Sequence, residues 1–221
     1  MKRILLPFTA AVLLVACNNA PKADGAKTTD KQEATAADGV TYTLDSTTTI
    51  QWTGTKPTGS HTGTFTIKEG SVTIKDSALT GGKFTINMAS LKNSDLVGDA
   101  AMLGKLEGHL KSPDFFDVAK YPTASFEITS VEPFKADSSS KDVLLKDATH
   151  TIKGNFTMKD STKNISFPAK INITGTAVTA TANFNIDRTL WGLNYKGPNN
   201  PADWVISKTV NIKLNVTATK K

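Results

Sequence analysis

Lys83-Phe84-Thr85-Ile86-Asn87-Met88 alternates polar and apolar side chains residue by residue. That period belongs to a strand with one dry face and one wet face, because successive side chains leave a strand on opposite sides. The same period runs outward in both directions. Upstream, Phe65 and Ile67 sit among Thr64, Thr66 and Lys68, and Val72 and Ile74 among Ser71, Thr73 and Lys75. Downstream, Phe126 and Ile128, then Ile152, Phe156 and Met158, then Ile165 and Phe167 repeat it. Phe184 and Ile186 follow, and Val210, Ile212, Leu214 and Val216 close the series. One wet face throughout predicts antiparallel strands, since a parallel sheet buried on both faces reads as solid apolar runs.

Turn chemistry punctuates the strands. Lys68-Glu69-Gly70, Asp76-Ser77, Lys159-Asp160-Ser161 and Gly175 are predicted turns, and Gly81-Gly82 a bulge or sharp bend. One segment departs from period two. Between Ser94 and Leu110, residues Leu96, Ala100, Leu103, Leu106 and Leu110 recur at helical spacing, with Asn93 or Ser94 as the expected cap. Gly98, Gly104 and Gly108 keep that helix short or broken. Its single apolar stripe is expected to cover the open end of a barrel. An antiparallel sheet with so many strands must close into a barrel or fold into a sandwich, and periodicity does not separate the two. Phe65, Ile67, Phe84, Ile86, Met88, Phe126, Ile128, Phe156, Met158, Phe184 and Ile186 share the inner parity. They form either a self-filled core or the wall of a cavity.

The N-terminus is of another kind. Lys2 and Arg3 precede the apolar run Ile4 to Ala16, which is too short to span a bilayer and has the form of an export signal. Leu14-Val15-Ala16-Cys17 resembles a bacterial lipobox. The resemblance implies that residues 1–16 are removed and that Cys17, the single cysteine, carries a lipid anchor. It places the protein in the bacterial cell envelope, on its periplasmic or surface side, held to the membrane. Residues 18–39 have no aromatic and almost no aliphatic side chain, so they are expected to be a disordered tether reaching about 25 Å. The folded domain is expected to span 40–221. Loss of Lys2 and Arg3 lowers the formal charge from +6 to +4. The lysines are scattered, with no run to follow a phosphate backbone, so nucleic acid is excluded as a partner.

A longer stretch carries a family resemblance. Gly108-His109-Leu110-Lys111-Ser112-Pro113-Asp114-Phe115-Phe116-Asp117-Val118, then Lys120-Tyr121-Pro122-Thr123 and Phe126, resembles the signature of the YceI-like family. So do Tyr42-Thr43-Leu44-Asp45, Gly63-Thr64-Phe65, Ile152-Lys153-Gly154-Asn155-Phe156-Thr157-Met158 and Asp187-Arg188, in order over nearly all of residues 40–218. The resemblance implies an all-β, closed antiparallel, lipocalin-like barrel of about eight strands with one short inserted helix. It also implies a long apolar cavity holding a polyisoprenoid or another single-chain amphiphile. The expected wall is the inner-parity set above, with Leu103 and Leu106 of the helix, Phe116, Arg188 and Trp191. Two segments depart from the family pattern: a Ser-, Asp- and Lys-rich excursion from Lys135 to Asp147, and a polar rim around Trp191-Gly192-Leu193 and Gly197 to Pro201.

Catalytic constellations are missing from the sequence. There is no Gly-x-Ser-x-Gly elbow and no glycine-rich phosphate loop, and His61, His109 and His150 stand too far apart for a zinc motif. The chain is expected to be no enzyme and to need no metal or cofactor. His109 is expected at the helix C-terminus, where a protonated imidazole meets the dipole favourably. Asp187-Arg188 continues the parity of Ile186, which sends Arg188 inward and Asp187 outward. Two roles stay open for Arg188: a structural ion pair at the rim, or a contact with a polar head group. The leading expectation is a carrier or store of a long-chain lipid. The alternative is a ligand-free surface barrel acting through loops 135–148 and 194–203. A homodimer through an edge strand stays open.

Overall fold

The computed structural model describes residues 20–34, 36–135, 143–198 and 205–220. The elements are β1 (Asp24–Gly25), β2 (Lys27–Asp30), β3 (Val40–Leu44), β4 (Thr49–Lys56), β5 (Gly59–Lys75) and β6 (Ala78–Asn93). Helix α1 (Ala100–Lys111) follows, then β7 (Thr123–Pro133), β8 (His150–Met158), β9 (Ser161–Ile173) and β10 (Ala177–Asp187). A 3-10 turn, η1 (Arg188–Trp191), and β11 (Thr209–Lys220) complete the chain.

The sheet is a closed barrel of eight antiparallel strands. β3 and β4 share one stave: β3 pairs the far end of β5 and β11, and β4 pairs the near end of both. From there the order runs β5, β6, β7, β8, β9, β10 and β11, and β11 meets β4. Closure removes the free edges that an open sheet of this size exposes. It also decides barrel over sandwich, which the period-two pattern leaves open.

Where the chain departs from the sequence reading, local packing is the cause. Lys68-Glu69-Gly70 is no hairpin. It lies inside the long strand β5, where register shifts flank Ile67, and Gly70 lies under Phe84: a Cβ there would stand 2.6 Å from the Phe84 Cβ. Asp76-Ser77 is the true hairpin, both residues in the left-handed region at φ 50° and 61°. Helix α1 begins later than expected. Its cap is Asp99, whose carboxylate accepts from the Met102 N–H at 3.0 Å, while Asn93 and Ser94 bond the Thr62 carbonyl instead.

The larger departure is at the N-terminus. Residues 24–30, expected within a disordered tether, are part of the wall. β9 and β10 bond one another only along Lys170 to Ile173 and Val178 to Thr181. Nearer the mouth they separate, and the N-terminal segment fills the gap. β1 pairs β10 in parallel at Phe184 and Asn185, and β2 pairs β9 antiparallel from Lys163 to Ser166. Unpaired edges of two separating strands are strong hydrogen-bonding groups, and any extended backbone satisfies them without apolar side chains. Beyond β2 the chain crosses the outside of the barrel. The Gln32 N–H donates to Asn155 Oδ1 at 3.0 Å, and Asn155 Nδ2 returns a bond to the Gln32 carbonyl at 2.7 Å. The folded unit therefore begins well before residue 40. Cys17 and the signal lie outside the described residues.

Candidate functional site

The barrel interior is apolar because each strand turns its hydrocarbon side chains inward. They leave a cavity of about 100 Å³. Eleven of the expected wall residues line it: Phe65, Phe84, Ile86, Met88, Phe116, Phe126, Phe156, Met158, Phe184, Ile186 and Arg188. Phe167 and Phe184 stack across it, centroids 4.1 Å apart and planes 13° from parallel. Phe126 approaches Phe84 at 5.4 Å and Phe167 at 5.9 Å. Such offset and tilted ring pairs hold shape better than aliphatic chains alone.

Five expected residues are placed elsewhere. Ile67 lies between two register shifts of β5 and packs half-buried beside the wall, off the cavity. Ile128 precedes the bulge of β7 and is displaced in the same way. Trp191 is buried behind the wall, its ring 5.2 Å from Phe156 and its Nε1 donating to the Phe156 carbonyl at 3.0 Å. Leu103 lines neither cavity, and Leu106 lines the mouth instead. Inward parity thus fails where a bulge resets it. The sequence reading also leaves out Ile50, Trp52, Ala124, Ile165, Phe167, Leu193, Val210, Ile212 and Leu214. All but Leu193 sit on period-two strands and carry the same signal as the chosen residues. Leu193, in a loop, has no periodic signal.

Above the apolar cavity is a second chamber of about 360 Å³ at the barrel mouth, and Trp52, Phe116, Arg188, Leu193 and Val210 line both. Its remaining wall is mixed: Thr55, Lys56, Ser60, His61, His109, Tyr195, Lys196 and Ser207 beside Leu106, Leu110 and Phe115. Helix α1 contributes Leu106, His109 and Leu110, so its apolar stripe does face the barrel mouth. None of its residues is fully buried. Leu110 packs half-buried against the core, and polar contacts hold the helix and the loop before it. Glu107 Oε1 accepts from the Asn93 N–H at 2.8 Å, and Asp95 accepts from the Thr62 N–H at 2.7 Å and approaches His61 Nδ1 at 2.8 Å. Burial acts to raise the Asp95 pKa, but the Thr62 N–H and the His61 and Asn93 side chains outweigh it and hold the carboxyl below its ordinary range. His109 closes the other side, its Nε2 2.9 Å from Asp114 Oδ2 and its ring edge-on to Phe115 and Tyr195.

Arg188 does not make the expected rim ion pair among the described residues. It is 3% exposed and bonds backbone carbonyls alone: Nε to Ser207 at 2.9 Å, Nη2 to Tyr195 at 3.1 Å and to Ile206 at 3.2 Å, and Nη1 to Leu193. Among the described residues it forms no salt bridge. Asp187 points outward as expected, caps η1 at Thr189 and pairs Lys208 at 3.0 Å. Burial lowers the Arg188 pKa, with Asp187 opposing. The guanidinium thus ties Leu193 and Tyr195 to Ile206 and Ser207, and it is a buried positive charge between the two chambers with no bonded carboxylate among the described residues. Two buried side-chain atoms among the described residues have no hydrogen-bond partner, Trp52 Nε1 and Thr55 Oγ1. Both belong to residues of the mouth wall.

Glycines of the family-like segments mark close approaches. A Cβ on Gly63 would lie 2.0 Å from the Lys92 carbonyl oxygen and 2.5 Å from the Trp52 ring, and one on Gly154 would lie 2.3 Å from the Phe126 ring. Both are needed for the wall residues beside them to lie flat.

Comparison with known proteins agrees with this architecture. A sequence profile described as the YceI-like domain matches residues 42–218. The structure of Burkholderia cenocepacia BcnA superposes with a TM-score of 0.58 at 18% identity, over 78% of this chain and 96% of that one. A polyisoprenoid-binding domain from Saccharophagus degradans, implicated in plant cell wall breakdown, gives 0.55 at 14% identity, over 81% and 98%. The Campylobacter jejuni YceI protein gives 0.50 at 21% identity, over 70% and 83%. No curated protein matches the sequence.

Proposed function

Because this chain belongs to the YceI-like family, we propose that it binds a single-chain amphiphile, of the polyisoprenoid type or similar, with the tail inside the barrel and the head in the mouth chamber. The observation that carries this is the junction of a hydrocarbon cavity with a polar chamber through shared wall residues. Tail binding is driven by removing hydrocarbon from water, at roughly 25 cal/mol per Å² buried. The apolar cavity is smaller than the ~150 Å³ void that holds a benzene ring. A long tail therefore lodges by parting inner side chains, and the unbranched thioethers of Met88 and Met158 are the ones that yield most readily.

The head is best matched by a group rich in acceptor oxygens. The Trp52 indole N–H is only a donor, the Thr55 hydroxyl bonds either way, and the Arg188 charge favours a negative or strongly polarised head. Lys56 and Lys196 stand at the same wall. The Saccharophagus domain supports this reading as a polyisoprenoid-binding relative in fold. The activity is carriage or storage in the bacterial envelope, with no bond made or broken. Cys17 is the proposed lipid anchor. Pro21 already contacts Asn185 of the wall at 3.1 Å. Four residues span at most about 14 Å, so the barrel is held close to its membrane.

The test is extraction of protein purified from its native envelope with organic solvent, followed by mass spectrometry. A long-chain apolar molecule near one per protein is expected. Its absence, together with a barrel whose inner side chains stay closed when detergent-solubilised polyprenyl phosphate is added, overturns the reading and favours action through the loops.

A further inference from the structure

The seam between β9 and β10 is closed in two different ways. Toward the far end the strands bond each other, from Lys170 to Ile173 against Val178 to Thr181. Toward the mouth they are separated by residues 24–30. There β1 takes the β10 edge and β2 takes the β9 edge, so the two strands no longer bond each other directly. Behind the gap stand Phe167 of β9 and Phe184 of β10, stacked on each other and both on the cavity wall. The N-terminal segment and, behind it, the Phe167–Phe184 ring stack therefore separate this part of the apolar cavity from the outside at that height.

That segment is weakly seated compared with the strands it joins. Its side chains are Asp24, Gly25, Ala26, Lys27, Thr28, Thr29 and Asp30, and only Ala26 packs against the core. Its hold is polar. Asp24 accepts from the Leu144 and Leu145 N–H groups at 2.7 and 3.1 Å, Asn185 Nδ2 donates to the Pro21 carbonyl, and Lys163 pairs Asp30 at 2.9 Å. Its two edges are unequal. On the β10 side two residues are in register and the Ala26 N–H donates to the Asn185 carbonyl at 2.9 Å, against four residues in register with β9, and the reciprocal Gln32–Asn155 bonds lie beyond the β9 side. Segments with few apolar contacts and solvent-near backbone bonds open at a small fraction of the global unfolding free energy.

We propose that residues 24–30 are a movable stave closing a lateral port, and that the port opens by parting β1 from β10 while β2 stays on β9. A chain then slides between the parted strands, displacing the Phe167–Phe184 stack, with its head passing along the outer wall toward the mouth. Threading a long tail end-first through the mouth, past the Arg188 brace and helix α1, is not required. The port rests on the reading of the barrel as a lipid site.

The test uses the mature chain with paired cysteines. One variant joins the parting edge, Gly25→Cys with Asn185→Cys, where nothing stands within 4 Å of the new Cβ on residue 25. The control joins the fixed edge, Lys27→Cys with Ser166→Cys, which are direct partners across β2 and β9. The first pair lies one strand spacing apart across a parallel ladder, about 4.8 Å, and the second is an antiparallel pair at about 4.5–5.5 Å, both within disulfide reach. Uptake of parinaric acid from phosphatidylcholine vesicles is followed by its fluorescence, oxidised and reduced. Oxidation is expected to slow uptake at least tenfold in the first variant, with reversal by reductant, and to leave the control unchanged. Removing residues 18–34 is expected to speed it. Equal rates in the oxidised and reduced first variant, with its disulfide verified by mass, overturn the port while leaving lipid binding intact. Equal slowing in both variants overturns the parting edge assigned here. Failure of the reduced and unmodified proteins to take up the probe at all overturns the lipid reading and the port with it.

Discussion

Residues 42–218 and residues 24–30 both belong to the barrel wall, yet they are held there by different physics. The first are held by apolar burial: Phe65, Ile86, Phe126, Phe167 and Phe184 are each at most 8% exposed and interlock around one core. The second are held by backbone pairing and a few side-chain bonds, with one small side chain against the core. Burial of several large side chains is cooperative, so damage there is felt by the whole barrel. Hydrogen bonds at a polar edge contribute about 0.5–1.5 kcal/mol each, so damage there stays local. The contrast makes a graded set of expectations.

The largest effect is expected at Gly63. Gly63→Ala drives a methyl into the Lys92 carbonyl and the Trp52 ring, and the carbonyl is backbone of the strand paired alongside, which shifts only by disturbing the β5–β6 ladder. Overpacking of this kind is expected to cost about 3 kcal/mol, the upper end of the usual range. That corresponds to a fall of roughly 10 °C in Tm for a domain of this length, read by calorimetry as one transition.

Arg188→Met comes next. It keeps the stem but leaves the Ser207, Tyr195, Ile206 and Leu193 carbonyls without their donor. A loss of about 2–4 kcal/mol is expected, concentrated in the 193–207 segment, with faster amide exchange there than in β5 or β6.

At the N-terminal stave the effect is smaller and of another kind. Asn155→Ala removes both bonds to Gln32 and the bond from Asn164. About 1–2 kcal/mol is expected, appearing as faster exchange of residues 24–34 with little change in the main transition. A global loss like that of Gly63→Ala would show that the stave and the core unfold together and would erase the distinction.

The smallest effect is at the mouth and depends on pH. The Asp95 carboxyl is held below its ordinary value near 3.8. A depressed carboxyl contributes stability above its unfolded pKa and loses it as pH falls through the folded one. Acidification below about pH 4 is therefore expected to release the clamp on Thr62 and His61 before the wall opens. Asp95→Asn is expected to reproduce part of that release at neutral pH, by about 1 kcal/mol, as seen in the amide exchange of Thr62.

The same contrast explains what was legible from residues alone. The strands around Phe84, Phe126, Phe156, Phe184 and Ile212 are written in period two, and a family-like signature runs through Pro113 to Phe126, so the barrel and most of its wall could be read. Bulges beside Ile67 and Ile128 shift the register by one residue, and no side-chain pattern announces them. The stave was illegible for a deeper reason. Its composition is that of a disordered chain, and its place is set by the unpaired edges of β9 and β10, which are properties of the rest of the fold. Asn155 and Asn164 held the clue: they are outward-facing on their strands, yet each is only 4% exposed, because the N-terminal segment covers them. The role of Arg188 was half visible. Parity gives its direction, but four carbonyls arriving from a loop have no signature in sequence.

The central claim is that a hydrocarbon tail enters the space beside Trp52, and tail-brominated single-chain amphiphiles test it most directly, because bromine quenches an indole only at contact. Trp52 lines both chambers, and in a protein carrying Trp191→Phe and Trp204→Phe it is the single emitter left of the three tryptophans. The account predicts saturable quenching at one amphiphile per protein, strongest with the bromine on the tail carbons next to the head and weakened as it is moved toward the far end of the tail. Emission that stays unchanged through saturating amphiphile, with the barrel folded, would contradict it.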